Sequence, residues 1–276
     1  MENQKFIPEG WDNTQVNYTC KDVENAMSQG AILQGLVTKC DDSYNLHVDL
    51  LEGYNAVIPF NEVDALNCDE NGQVKPQICK YKINNYVQFK VKDIKDNNIT
   101  LSRKDVQIDA SNWLKQEFKP GMKVKGIVKN IRKFGAFIEI GGGVVGLLHI
   151  EDISVSRIKT PEERFQVGDK IDVIIKDIEE GTGKVILSYK ELLGNWEDNV
   201  KDFKEKQVVD GIIKESDKFK NGIFVELKPN LVGLAEYKEG YNYGEKVKVF
   251  IKKIINDRKK IKLIILWYWN YFHLWL

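Results

Sequence analysis

The chain has 276 residues, too many for one small domain, so two or three are expected. Hydrophobic residues make up 42% and charged residues 30%, which suits a soluble globular protein. The 41 basic and 41 acidic side chains cancel, but not evenly: residues 1–29 carry −3, 30–104 carry −1, 119–190 carry +3 and 208–266 carry +5. The later part is therefore where a polyanion would bind.

Taken in chain order, residues 1–18 lack a clear period and are expected to be loose. Thr19-Cys-Lys-Asp22 is a capping pattern for a short helix ending near Gln29. Four cysteines follow, Cys20, Cys40, Cys68 and Cys79, with no Cys-x-x-Cys spacing. That excludes the usual metal and redox motifs and reads as reduced thiols in a cytosolic protein. No basic-then-apolar leader opens the sequence, so secretion is not expected; no membrane partner is expected either.

From residue 30 onward one unit recurs three times. Tyr44-Asn45-Leu46-His47 aligns with Phe134-Gly135-Ala136-Phe137, and Gly222-Ile223-Phe224 with the latter part of it. Fourteen residues after Asn45, Gly135 and Gly222 come Pro59, His149 and Glu236. Each copy then carries a long alternating strand and a short closing one: Ile99–Ser102, Val185–Ser188 and Ile261–Ile264. Such a unit, with five short strands, predicts a small closed antiparallel barrel. In the middle copy the strands are placed near Lys123–Ile131, Phe134–Ile140, Val144–His149, Lys170–Glu179 and Lys184–Ser188. Gly141-Gly142-Gly143 supplies a hairpin, and Ile150–Val167 crosses the barrel. The connectors Asp105–Glu117 and Lys190–Lys206 read as helical.

The fold expected is thus mainly β. Three tandem five-stranded antiparallel barrels occupy 30–104, 119–190 and 208–266, joined by short helical connectors, after a loose segment with a short helix at 1–29. The ending, 267–276, is an atypical aromatic tail with three of the six Trp, too short for a confident membrane span. It reads as an aberrant or truncated end.

The richest chemistry lies in Lys125–His149. Phe134 and Phe137 flank a glycine, His149 follows a second short strand, and Lys125, Arg132 and Lys133 stand before the rings. Exposed rings beside positive charge can stack single-stranded bases and hold their phosphates. On a plain strand Phe134 and Phe137 would face opposite sides and at least one would be core. A bend or bulge at Gly135 is needed to expose both. No catalytic set is visible: the three histidines fall at repeat positions or in the tail, no phosphate loop is present, and no metal-ligand spacing occurs.

The motifs G-x-V, F-G-A-F, G-L-L-H, G-D-K-I-D-V and a closing L-S between Gly121 and Lys190 closely resemble the S1 domain. This is an RNA-binding module of the OB-fold class, found in the ribosomal protein S1 family. The resemblance implies three OB-fold barrels. It also implies RNA contact by Phe134, Phe137 and His149, with Lys184 at the family's basic position and Glu179 at its acidic one. Glu151 stands where the family often has Ser. The first copy departs, with Tyr44, His47, Pro59 and Asn98 at those positions. The third keeps Phe224 and Lys260 but has Asn221 and Glu236. The chain looks like a reduced three-repeat bacterial homologue. Its expected role is to capture single-stranded mRNA near the small ribosomal subunit in the cytoplasm, without cofactor or metal. The acidic first copy would face protein, including the small ribosomal subunit. Two other readings stay open: a protein-docking adaptor of the ribosome or RNA-processing machinery, and the RNA-binding part of a split enzyme.

Overall fold

The computed structural model describes residues 4–12, 16–68, 74–217 and 222–266. The aromatic tail 267–276, with His273, and Asn221 lie outside the described residues.

Helix α1 (Cys20–Gln29) starts as the capping pattern predicts. The Thr19 side chain accepts from the Asp22 amide, and the Asp22 carboxylate accepts from the Thr19 amide at 2.9 Å. Gly30, at φ 63°, ends it. Strands β1 (Leu33–Cys40), β2 (Leu46–Asp49) and β3 (Asn55–Ile58) follow, then helix α2 (Pro76–Lys80) and strands β4 (Tyr86–Lys95) and β5 (Asn98–Ser102). They close into a barrel in the order β1-β2-β3-β5-β4, with β4 returning to β1 and β3 running parallel to β5. Helix α3 (Lys104–Glu117) leads to β6 (Met122–Arg132), β7 (Gly135–Gly141), β8 (Val144–His149), β9 (Lys170–Ile178) and β10 (Val185–Ser188), a second closed barrel. A short helix, α4 (Trp196–Val200), precedes β11 (Val208–Asp217), β12 (Gly222–Lys228), β13 (Leu231–Ala235), β14 (Lys246–Ile255) and β15 (Lys260–Leu266), which close the third. The cyclic strand order is the same in all three, so the three OB-fold barrels expected from the repeats are present.

One residue type explains how each barrel closes. Gly35, Gly126 and Gly211 hold equivalent places in the first strand of their barrels. A Cβ there would lie 2.6, 2.4 and 2.4 Å from a methyl of Val48, Ile138 and Val225, respectively, on the second strand. Only glycine lets the first strand coil this closely over its neighbour. Period-2 alternation fills the interior: on β4, Val87, Phe89 and Val91 are buried and the residues between them are not.

Two expectations are corrected. The connector Lys190–Lys206 is not a continuous helix: it holds a 3-10 turn, Lys190–Leu193, and the five-residue α4. Gly194, at φ 79°, and the Asn195 cap between them break the run. The N-terminal segment expected to be loose is instead docked along residues 4–12. Phe6 and Glu9 there are 3% and 1% exposed.

The chain divides into two compact units, Met1–Asn130 with Phe137–Leu147 and Gln166–Ile186, and Ile131–Ala136 with Leu148–Phe165 and Leu187–Leu276, so the middle barrel contributes to both. In the first unit the N-terminal segment is a strap. Glu9 takes Arg103 in two bonds, 2.7 and 2.9 Å, and Lys82 at 3.2 Å. Arg103 also reaches Asp64 at 2.9 Å and the Val63 carbonyl at 3.0 Å. The Glu9 amide donates to Glu139 at 2.7 Å, and the other Glu139 oxygen accepts from the amides of Gly141 and Gly143. Gln4 bridges the Lys125 amide and the Ile140 carbonyl. In the second unit the crossing segment before Gln166 seats on the third barrel. The Ser156 amide bonds the Pro229 carbonyl at 2.9 Å, and Glu163 meets Lys214 at 2.9 Å.

Candidate nucleic-acid interface

The ring-bearing end of the middle barrel is built from a turn. Lys133 and Phe134 form the tight turn between β6 and β7, so Phe134 escapes the strand's alternation and stands 50% exposed. This turn is the bend beside Gly135 that exposes Phe134. Phe137, on β7, is half-buried between the buried Ala136 and Ile138. The Ile150 amide donates to the Phe134 carbonyl at 2.9 Å, which holds the turn beside the end of β8 and so beside His149. The His149 side chain is 43% exposed, and its Nδ1 accepts from the Glu151 amide at 3.4 Å. The Glu151 carboxylate lies 3.8 Å from the same nitrogen. Arg132 and Lys133 are exposed at the same turn.

Lys184 is exposed just before β10 and lies 3.9 Å from the Glu179 carboxylate. The two residues close the β9–β10 loop, the Glu179 amide donating to the Lys184 carbonyl at 2.9 Å. Lys125 is placed differently. It lies seven residues back along β6 from Arg132, about 23 Å of strand. Its ammonium sits 5.1 Å over the Trp11 ring, so the strap engages it.

The first barrel's corresponding face is consolidated on itself. Tyr44, at φ 63°, packs its ring on Phe60 with centroids 5.5 Å apart, and Lys80 lies 5.9 Å over it. His47 bonds the Asp41 carboxylate at 3.2 Å, and Asp41 also accepts from the amides of Ser43 and Asn45. In the third barrel Phe224 is half-buried on β12, and Lys260 opens β15 exposed to solvent. Lys259 beside it is turned to Glu197 at 3.1 Å.

The sequence reading missed the strap, whose partner Arg103 lies 94 residues from Glu9. It also missed Lys253 and Lys262, which strand register places opposite each other beside Lys260. The local signal for the strap was weak: a buried-type Phe6 and one carboxylate in a stretch without period. Among the described residues no cluster of His, Cys, Asp or Glu could hold a metal, all four cysteines are free thiols, and no helix is long and apolar enough to cross a membrane.

Residues 117–190 match the family model described as S1 RNA binding domain. The small ribosomal subunit protein bS1 of Chlamydia trachomatis is 29% identical over 252 residues, covering 85% of this chain and 42% of that protein. The bS1 of Staphylococcus aureus is 34% identical over 160 residues, 55% of this chain and 40% of that one. A Clostridium acetobutylicum protein named 4-hydroxy-3-methylbut-2-enyl diphosphate reductase is 31% identical over 228 residues, 78% of this chain and 35% of that protein. The chain spans less than half the length of these relatives. Residues 117–190 thus form an S1 domain, and its two flanking barrels of the same strand order, with the bS1 relatives, support an S1-family repeat protein.

Proposed function

We propose that the chain is a non-enzymatic, cytoplasmic binder of single-stranded RNA whose middle barrel is the principal platform. The observation that carries this reading is the turn that presents Phe134, exposed, beside His149 and the cations Arg132 and Lys133. Phe134, Phe137 and His149 stack or bond bases. Arg132, Lys133 and Lys184 meet phosphates, with Lys125 further along the strand. Phe224 and Lys260 make the third barrel an auxiliary site. Stacking reads the π-face of any base, so sequence preference is slight. Linked sites add affinity through effective concentration. The biological role that fits is capture of mRNA near the small ribosomal subunit, with the first barrel facing protein.

Fluorescence anisotropy of a labelled unstructured RNA tests this, wild type beside a Phe134→Ala, Phe137→Ala, His149→Ala variant. Salt-sensitive binding that the variant loses supports the reading. Equal binding by both moves RNA off the middle barrel. The self-packed face of the first barrel favours a second reading, a protein-docking adaptor. Ribosome co-sedimentation that survives the triple substitution would support it.

A further inference from the structure

A hairpin turn of the third barrel grips the segment that follows His149. Asn230, in the turn Pro229-Asn230 between β12 and β13, is 8% exposed. Its Oδ1 accepts from the Val155 amide at 3.0 Å. Its Nδ2 donates to the Lys190 carbonyl at 2.6 Å and to the Gly194 carbonyl at 2.9 Å. The adjoining Pro229 carbonyl accepts from the Ser156 amide at 2.9 Å. One acceptor and two donors on so short a side chain is what a carboxamide supplies; an ionised aspartate donates nothing and a serine donates once. Asn230, its partners, Phe134 and His149 all belong to the same compact unit.

Both arms of this clamp end on the turn directly after His149. One arm fixes Val155. The other fixes Lys190, whose ammonium bonds the Asp152 carboxylate at 2.7 Å and the Glu151 carbonyl at 3.3 Å. The Asp152 carbonyl also accepts from the Tyr189 amide at 2.9 Å. The 3-10 turn Ile150–Asp152 is therefore held from both sides. Its Ile150 amide donates to the Phe134 carbonyl at 2.9 Å, and its Glu151 amide donates to His149 Nδ1 at 3.4 Å. The backbone that joins the two rings is thus tied to a side chain 75 residues beyond Val155.

We infer that Asn230 is a positioning residue for RNA binding, one that sets the placement of His149 and Phe134 without touching RNA. Its burial leaves RNA almost no surface to meet. The inference rests on the RNA-binding reading above and gives the third barrel a second role, as a brace for its neighbour's rings. Asn230→Ala leaves one amide and two carbonyls without their partner. The segment after His149 then loosens and the rings lose their shared pose, while the phosphate-binding cations keep their charge. A binding group works at full strength only when the hydrogen bonds behind it lock its geometry.

The test is anisotropy of a labelled oligouridine with the full chain at several salt concentrations, each preparation being checked for folding by circular dichroism. The proteins compared are wild type, Asn230→Ala, Lys190→Gln, Phe134→Ala/His149→Ala, and that pair combined with Asn230→Ala. Asn230→Ala should weaken binding about fivefold or more, the lower end of one stacked base, at the wild-type salt slope. In the background without the two rings it should change affinity by less than about twofold, the scatter of independent sites. Lys190→Gln should show a smaller loss, also at the wild-type slope. In the free protein the His149 ring resonances should move in Asn230→Ala. Wild-type affinity in Asn230→Ala overturns the inference and leaves the middle-barrel platform standing. An equal loss with and without the rings also overturns it, in favour of a structural role alone. So does a slope shallower by about 0.7 in Lys190→Gln, which would make Lys190 a phosphate contact. Where Asn230→Ala fails to fold, Lys190→Gln with and without the rings decides by the same comparison. Wild-type binding by the Phe134→Ala/His149→Ala pair, or no binding by the wild type, sinks both readings.

Discussion

At the residue scale, Phe134 and Gly126 contrast a side chain presented to solvent with a position fixed by packing. Phe134 stands half in solvent on a turn where its backbone carbonyl accepts from the Ile150 amide. Phe134→Ala should therefore weaken RNA binding by about 1–3 kcal/mol, the range for one stacked base, and leave the melting temperature nearly unchanged. Titration and thermal melts of the same preparation check both halves. Gly126 is the converse. Its absent side chain admits Ile138, whose methyl would lie 2.4 Å from an added Cβ. Gly126→Ala should destabilise the protein by about 1–3 kcal/mol through overpacking, with RNA affinity per folded molecule preserved. A variant that melts like wild type would show that the strand can slide without cost.

At the element scale, the strap of residues 4–12 joins the first barrel to the strands of the middle one that share its unit. Burial raises the cost of ionising Glu9, but Arg103 and Lys82 outweigh it and hold the carboxyl well below the usual carboxylate range. Asp64 is likewise lowered: its burial is overcome by Arg103 and by two backbone amides. Arg103→Met would leave these carboxylates buried without their main cation, and should cost about 3–5 kcal/mol in chemical denaturation. A cost within measurement error would mean that water enters and solvates the cluster.

Glu139 is the strap's pH-sensitive member. Burial, and then the Glu9 charge, push it up to about 7 from 4.5. The folded state keeps a proton that the unfolded chain releases in this window. Stability from this group is therefore fully present below about pH 4.5 and lost as pH rises through about 7. Glu9 and Asp64 work in the opposite direction, their contribution being lost as pH falls into the acid range. Melting curves across pH should show wild-type stability declining between pH 4.5 and 7, and Glu139→Gln should flatten that decline. A wild type that is flat over this window would place a charged carboxylate in the cluster, held by the amides of Glu9, Gly141 and Gly143.

At the scale of the whole molecule, a net charge of zero conceals a division of labour. The N-terminal segment and first barrel are acidic, and the other two barrels carry +3 and +5 over 119–190 and 208–266. Affinity for RNA should fall steeply with salt even though the protein as a whole is neutral, because counterions are released only where lysines and arginines meet phosphates. A flat salt response would assign the binding to stacking alone. The first barrel has its ring position folded back on Phe60 and its His47 bonded to Asp41, so substitutions at Tyr44 should affect stability more than RNA affinity.

The sequence by itself determined the strands, the turns and the threefold repetition. These are written in neighbours two to four residues apart: alternating apolar residues, the glycine hairpin at 141–143, and the Thr19 cap. The predicted strand Val144–His149 matches β8 end for end, and the helical connector predicted at Asp105–Glu117 lies within α3. The rings at 134, 137 and 149 were legible through the motifs F-G-A-F and G-L-L-H, which resemble the S1 domain, and not through the repeat, whose outer copies carry Pro59 and Glu236 at the third position. Only the tertiary structure decided the rest. Glu9 finds Arg103 ninety-four residues away, and nothing local in either stretch names the other. Lys253 faces Lys262 because of a register shift between Ile251 and Lys253 in the β14–β15 pairing, and moving a strand by one residue turns its side chains to the other face. Local periodicity specifies which faces are apolar, whereas the pairing of distant charges depends on how closed barrels meet the segments between them.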